Sequence, residues 1–320
     1  MKDAFFIDKY KPILFKDFED DNKTIHLLKT MIKINNLNIM FIGPSGCGKT
    51  TILNILIREY YLETDDDYEK NILRINNLKE HGINYFRTDV KTFCQTCSSI
   101  KNKKKILVLD DIDLINEQSQ QVFRNCIDKY SHNVNFISSC NNNQKVIESI
   151  QSRMNIIKLE QFSQESIHKI MKKIIDKENL KITLESQDFI MKICNNTIKV
   201  LINYMEKFKL INEEITLDIA MNSCSNISFY TLKDYIVFVK ENKLMEAIKL
   251  LYLIYEKGYS SIDILDNLFL YIKFTDILNE DDKYKIIPLI CKYITIFYNI
   301  NEDQIELCLF TNEVVQLLND

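Results

Sequence analysis

No apolar run in this 320-residue chain approaches the roughly eighteen residues that a membrane-spanning helix needs, which excludes such a helix. The opening Met1-Lys2-Asp3-Ala4-Phe5-Phe6 has neither the apolar core of a signal peptide nor the Arg/Ser bias of a transit peptide, so an intracellular protein is expected. Net positive charge is missing as well. The formal value of −4 argues against a generally basic nucleic-acid coat while leaving room for a local basic stripe. The nine cysteines follow no disulfide framework, and the C-x-x-C pair Cys94 and Cys97 has neither a second pair nor a nearby His to complete a zinc site. They read as reduced thiols packed among helices.

Glycine is scarce too, five in all, and three of the five stand in Gly43-Pro44-Ser45-Gly46-Cys47-Gly48-Lys49-Thr50. This stretch fits the phosphate-loop pattern, between the apolar run Asn38 to Ile42 and a helical segment Thr51 to Tyr60. Glycines let successive backbone N–H groups turn inward around phosphate oxygens, and the helix adds the positive end of its dipole. Lys49 is then expected to reach the β- and γ-phosphates and Thr50 to hold Mg²⁺. A bare strand-to-helix turn is the alternative, and the complete Gly-Lys-Thr ending argues against it.

Further along, Ile106-Leu107-Val108-Leu109-Asp110-Asp111-Ile112-Asp113 is an apolar strand ending in carboxylates, the form of the second nucleotide motif. Asp110 would orient the Mg²⁺ shell and Asp111 would polarise the attacking water. Additional strands are expected over Ile72 to Asn76, Val134 to Cys140 ahead of Asn141, and Asn155 to Leu159, alternating with helices such as Asn22 to Lys33. That alternation implies an α/β domain with a parallel sheet covered on both faces. The acidic run Glu63 to Asp67 and the lysine run Lys101 to Lys105 read as solvated loops. From Ser163 onward the apolar spacing is helical, as in Ile167, Ile170, Met171, Ile174 and Ile175. The expected division is a nucleotide-binding core over 1–162, a small helical bundle over 163–226 and a second bundle over 227–320.

Taken in order, these motifs resemble the small subunits of replication factor C, clamp-loader ATPases of the AAA+ class, over nearly the full length. Phe6 to Pro12 is similar to that family's W-x-E-K-Y-R-P. Asn76 through Phe93, with Glu80, Gly82-Ile83, Arg87 and Lys91, has the spacing of its N-A-S-D-E-R-G-I-D-V-V-R-x-K-I-K-x-F. Gln120 and Arg124 match its A-Q-x-A-L-R-R helix, Cys140-Asn141 its sensor-1 pair, Ser152-Arg153-Met154 its S-R-C, and Gly258-Tyr259-Ser260 with Asp263-Ile264 its G-Y-S-x-x-D-I-I collar segment.

The resemblance implies an AAA+ core, a helical lid and an all-α collar for oligomerisation. It also implies ATP and Mg²⁺ as cofactors, held by Ile7, Tyr10, Lys11 and Pro12 at the base, Gly43 to Thr51 at the phosphates, Lys199 at sensor 2, and Thr50 with Asp110 at the metal. Asp111, Asn141 and Arg153 would be catalytic, Arg153 serving a neighbouring subunit as a trans arginine finger. Arg87, Lys91 and Arg124 would follow the DNA backbone; four apart, Arg87 and Lys91 are expected on one helix face. The implied partners are other clamp-loader subunits in a hetero-oligomer, expected as a pentamer, a sliding clamp and primer–template DNA, with no membrane. The implied location is the site of replication, nuclear or viral. Two departures bear on chemistry: Asp111 replaces the family's longer Glu, and Lys199 replaces the forked guanidinium of its sensor-2 Arg by a point charge. Two other readings stay open, a subunit that binds ATP without hydrolysing it and an AAA+ ATPase of another DNA process such as helicase loading.

Overall fold

Five strands form one sheet in the order β2-β3-β4-β1-β5, where β1 is Ile39–Ile42, β2 Ile72–Ile75, β3 Lys105–Leu109, β4 Val134–Cys140 and β5 Asn155–Lys158. Every neighbouring pair is parallel, with Ile42 opposite Cys140 on one side and Lys158 on the other. The computed structural model describes residues 5–18, 23–62, 68–75, 85, 87–194, 196–224, 227–275, 277–299 and 304–319. Glu63 to Asp67, Asn76, Glu80 and Gly82-Ile83 therefore lie outside the described residues.

The apolar strands alternate between two cores. Ile39, Phe41, Ile106, Val108 and Ile137 enter one buried cluster, in which Leu53, Leu56, Ile57 and Tyr60 of the helix Lys49–Tyr61 also lie. Met40, Leu107, Leu109, Phe136 and Cys140 enter the other, with Phe123 and Ile127 of the helix Glu117–Tyr130. A period of two along each strand thus covers both faces, the condition under which a parallel sheet reads as unbroken hydrophobic runs. Each fully buried aliphatic side chain contributes about 1.5–3 kcal/mol. The order also places the C-terminal ends of β3, β4 and β1 side by side, the edge where parallel α/β sheets carry their ligands.

Two sequence expectations change. Lys105 is buried at the start of β3 rather than solvated: its ammonium donates to the Phe93 carbonyl at 3.3 Å and to Thr96 Oγ1, and burial pushes its pKa below the ordinary lysine value. Arg87 lies ahead of the helix Asp89–Gln95 that carries Lys91, with Thr88 as that helix's N-cap. Arg87 and Lys91 thus fall in two successive helical stretches with a turn at Thr88 between them, rather than on one unbroken helix.

Backbone proximity divides the chain into two units, Met1–Ile167 with Asn196–Ile202, and His168–Asn195 with Asn203–Asp320. After β5, apart from one isolated bridge between Ile182 and Ile215, the described regular structure is helical. Within the second unit, Leu232, Tyr235, Leu251, Ile264, Ile290 and Phe310 are buried on successive helices, and the Tyr235 hydroxyl donates to Thr311 Oγ1 at 3.4 Å. Ser260 caps the helix Ser261–Phe274 by accepting from the Asp263 amide at 3.0 Å. None of the described helices is long and apolar enough to cross a membrane.

Candidate active site

Gly43 leaves β1 with its amide on the Cys140 carbonyl at 3.3 Å, so the loop starts against the end of β4. A Cβ at Gly43 would stand 2.5 Å from the Leu159 carbonyl oxygen, and one at Gly46, where φ is +81°, would stand 2.8 Å from Thr197 Cγ2. A backbone oxygen at Gly43 and the left-handed φ at Gly46 therefore call for glycine at both positions. Gly48, in the left-handed region, then opens the helix Lys49–Tyr61. Among the described residues, the amides of Gly46, Gly48, Lys49, Thr50 and Thr51 enter no protein hydrogen bond. A run of free donors at a helix N-terminus fits a polyanion such as a nucleotide's phosphates.

Lys49 is only 7% exposed, and its ammonium donates to the carbonyls of Gly43 at 2.9 Å and Pro44 at 3.0 Å and to Asn141 Oδ1 at 2.7 Å. Asn141 Nδ2 in turn donates to Asp111 Oδ1 over a long 3.4 Å. Asn141 therefore bridges the loop's cation to the acidic turn. Thr50 Oγ1 donates to Asp110 Oδ2 at 3.2 Å, while the Ser139 hydroxyl donates to Asp110 Oδ1 and accepts the Asp111 amide at 3.1 Å. The hydroxyl of Thr50 and the carboxylate of Asp110 are hard oxygen donors, suited to a Mg²⁺ that keeps several waters and takes one or two carboxylates.

Asp111 occupies the left-handed region at φ 53°, which Asp tolerates better than most residues. Burial first, and then the Asp110 and Asp113 charges, push its carboxyl above the usual carboxylate range, against Lys49 and the Asn141 hydrogen bond. Asp113 accepts the amides of Asn141 and Asn142 at 3.2 and 3.1 Å, and its other oxygen is buried without a partner. This carboxylate fixes the loop that presents Asn141.

Lys49, Thr50, Asp110, Asp111 and Asn141 thus form one hydrogen-bonded group. The other sequence candidates lie outside this network. Ile7 and Tyr10 are half-buried around the short helix Phe6–Lys9, the Tyr10 ring edge-on to Phe6 at 5.5 Å; Pro12 is half-buried and Lys11 exposed. Lys199 is exposed in the first turn of the helix Ile198–Ile211. Arg153 Nε donates to Asp128 Oδ1, and Arg124 pairs with the other Asp128 oxygen at 3.4 Å. Arg87 and Lys91 are exposed.

Ser139, Asp113 and Asp128 went unassigned in the sequence. Ser138-Ser139 inside a strand buried at all seven positions is a signal that was there to be read, since a buried hydroxyl needs a partner. Asp128 carries no such mark, because its partners Arg124 and Arg153 are four and twenty-five residues away.

Residues 39–161 match the family described as ATPase family associated with various cellular activities, and residues 231–294 match the replication factor C C-terminal domain. A replication factor C small subunit of Methanocella arvoryzae is 28% identical over 84% of this chain and 83% of its own length. One from Methanococcus maripaludis is 29% identical over 89% and 90% respectively. A Thermotoga maritima RuvB Holliday junction branch migration motor shares the fold with a TM-score of 0.53, at 13% identity, over 73% of this chain and 80% of that one. The phosphate loop, the acidic strand end and this sheet order define an AAA ATPase domain with a nucleotide-binding fold. The chain thus joins an AAA ATPase domain to a replication factor C C-terminal domain, and over more than four fifths of its length it is similar to replication factor C small subunits.

Proposed function

We propose that this chain is an ATP-binding subunit of a hetero-oligomeric clamp loader, which opens a sliding clamp and sets it on primer–template DNA at the site of replication. The observation that carries this reading is the chain Lys49–Asn141–Asp111 beside Thr50–Asp110–Ser139, joined to a C-terminal replication factor C domain. Three parts are proposed: a nucleotide-binding core over 1–162, a lid over 163–226 carrying Lys199, and a collar over 227–320.

Bound Mg²⁺·ATP supplies the phosphoryl group and a cation that offsets its charge. Within the loop Gly43 to Thr51, the free amides of Gly46, Gly48, Lys49, Thr50 and Thr51 and the Lys49 ammonium would hold the phosphates, Thr50 and Asp110 would hold the metal, and Ile7, Tyr10, Lys11 and Pro12 would cover the base. On binding, Lys49 gives up part of its bonding to the Gly43 and Pro44 carbonyls, and its hold on Asn141 reports the phosphates to Asp111. Asp111, when ionised, orients the attacking water; because its pKa is raised, the ionised fraction falls off at a higher pH than for an ordinary Asp. Asp111 is also one bond, roughly 1.5 Å, shorter than Glu. Asp111→Glu is expected to raise single-turnover hydrolysis in the assembled complex by up to about a hundredfold, the cost of an ångström-scale misplacement. A flat or lower rate would mean that the pocket is fitted to Asp and that the shorter side chain is no defect; no single-turnover hydrolysis by the parent chain in the complete complex would favour the second reading, a structural subunit that binds ATP without hydrolysing it.

Arg87, Lys91 and Arg124 are proposed to contact the phosphate backbone, which positions the complex without reading bases. Since each neutralised phosphate adds about 0.9 to the slope of log affinity against log salt, replacing Arg87 and Lys91 by Ala should make the slope shallower by about 2. Fluorescence anisotropy of labelled primer–template over a salt series measures it. An unchanged slope would direct both side chains to solvent, and DNA binding without affinity for a sliding clamp would point to another DNA process.

A further inference from the structure

Arg153 follows the short helix Glu148–Gln151, and its guanidinium is committed on one side only. Nε donates to Asp128 Oδ1, and Nη1 donates to the Ser149 carbonyl at 2.7 Å and to Ser152 Oγ at 3.3 Å. Among the described residues Nη2 meets no acceptor, and it is not sealed from solvent. A carboxylate that masked the cation would take the forked pair of nitrogens. Here it takes the nitrogen nearest the chain, which fixes the plane of the group and leaves its far end open. The second Asp128 oxygen is occupied by Arg124 Nη2 at 3.4 Å, and Arg124 Nε is buried without a partner. One carboxylate between two guanidiniums leaves a net positive charge beside the open nitrogen.

We infer that Asp128 is a positioning residue for ATP hydrolysis: it holds Arg153 with Nη2 projecting toward the nucleotide of the adjoining subunit. This rests on the reading of Arg153 as a trans finger and goes beyond it by naming what aims the finger. The pair is partly exposed, so it adds little to stability and its loss leaves the fold standing. Its role is geometric. Removing a negative charge next to a phosphate-seeking guanidinium would speed the reaction if charge alone counted, whereas loss of aim slows it.

The test uses the complex purified through a tag on this chain. Asp128→Asn should lower kcat for ATP hydrolysis about tenfold to a hundredfold, the scale of a misplaced catalytic group, with KM for ATP unchanged. Asp128→Glu, which keeps the ion pair, should recover most of the rate. The double variant Asp128→Asn with Arg153→Ala should be no slower than Arg153→Ala alone, because a brace has no effect once its load is gone. Should the Asn variant melt early, Asp128→Ala repeats the test on a helix-favouring residue. An unchanged or faster Asp128→Asn complex, in an assay where Arg153→Ala is slow, overturns the inference and leaves the finger intact. An Arg153→Ala complex at full rate overturns the finger and the brace together.

Discussion

Lys49→Ala is expected to abolish high-affinity ATP binding by this chain. The ammonium lies buried at the mouth of the loop, held by two loop carbonyls and by Asn141. It is thus already positioned beside the free amides that the phosphates would meet. The amides carry only partial charge, so without Lys49 the β- and γ-phosphates keep most of theirs uncompensated. Two charge-assisted hydrogen bonds at about 1.5–3 kcal/mol each amount to more than a hundredfold in affinity. A second loss compounds this one. Asp110, Asp111 and Asp113 converge on the same corner, and Lys49 is the cation that lowers the Asp111 pKa against their repulsion. Titration calorimetry decides it: the same affinity in the variant and the parent would show that the loop is not the nucleotide site.

Much of this corner was legible in the sequence because its signals are local. The glycines, lysine and threonine of the loop are contiguous, and the strands on either side are unbroken apolar runs that mark a sheet buried on both faces. Asp110 and Asn141 were readable for the same reason, each standing at the end of such a run. What the sequence hid depends on contacts between elements. Ser139 gains its meaning only when β3 and β4 lie side by side, which puts its hydroxyl between Asp110 and the Asp111 amide. Lys105 looked like the last of four solvated lysines, and nothing in the run marks where the buried ladder begins. A spacing of four places Arg87 and Lys91 on one face only along an unbroken helix, and Thr88 interrupts it.

Arg153→Ala is expected to leave ATP binding by this chain nearly intact and to slow hydrolysis at the neighbouring subunit by roughly 10³- to 10⁵-fold, the range of a trans arginine finger. The Arg153 side chain is committed elsewhere in the fold. It takes no part in the hydrogen-bonded group of Lys49, Thr50, Asp110, Asp111 and Asn141, being held instead by Asp128, Ser149 and Ser152. Its loss therefore removes nothing that this chain's own phosphates would meet. A guanidinium braced on one side and open on the other is suited to charge that develops on a group brought to it from outside. Such help counts in the transition state more than in the ground state, so kcat at the neighbour falls while its ATP affinity changes little. The measurement needs complexes in which the neighbour's site alone is competent, with the other phosphate-loop lysines replaced by Ala, assayed with and without Arg153. A fall confined to this chain's own site would show that Arg153 acts in cis, and equal rates with and without it would remove the residue from the reaction.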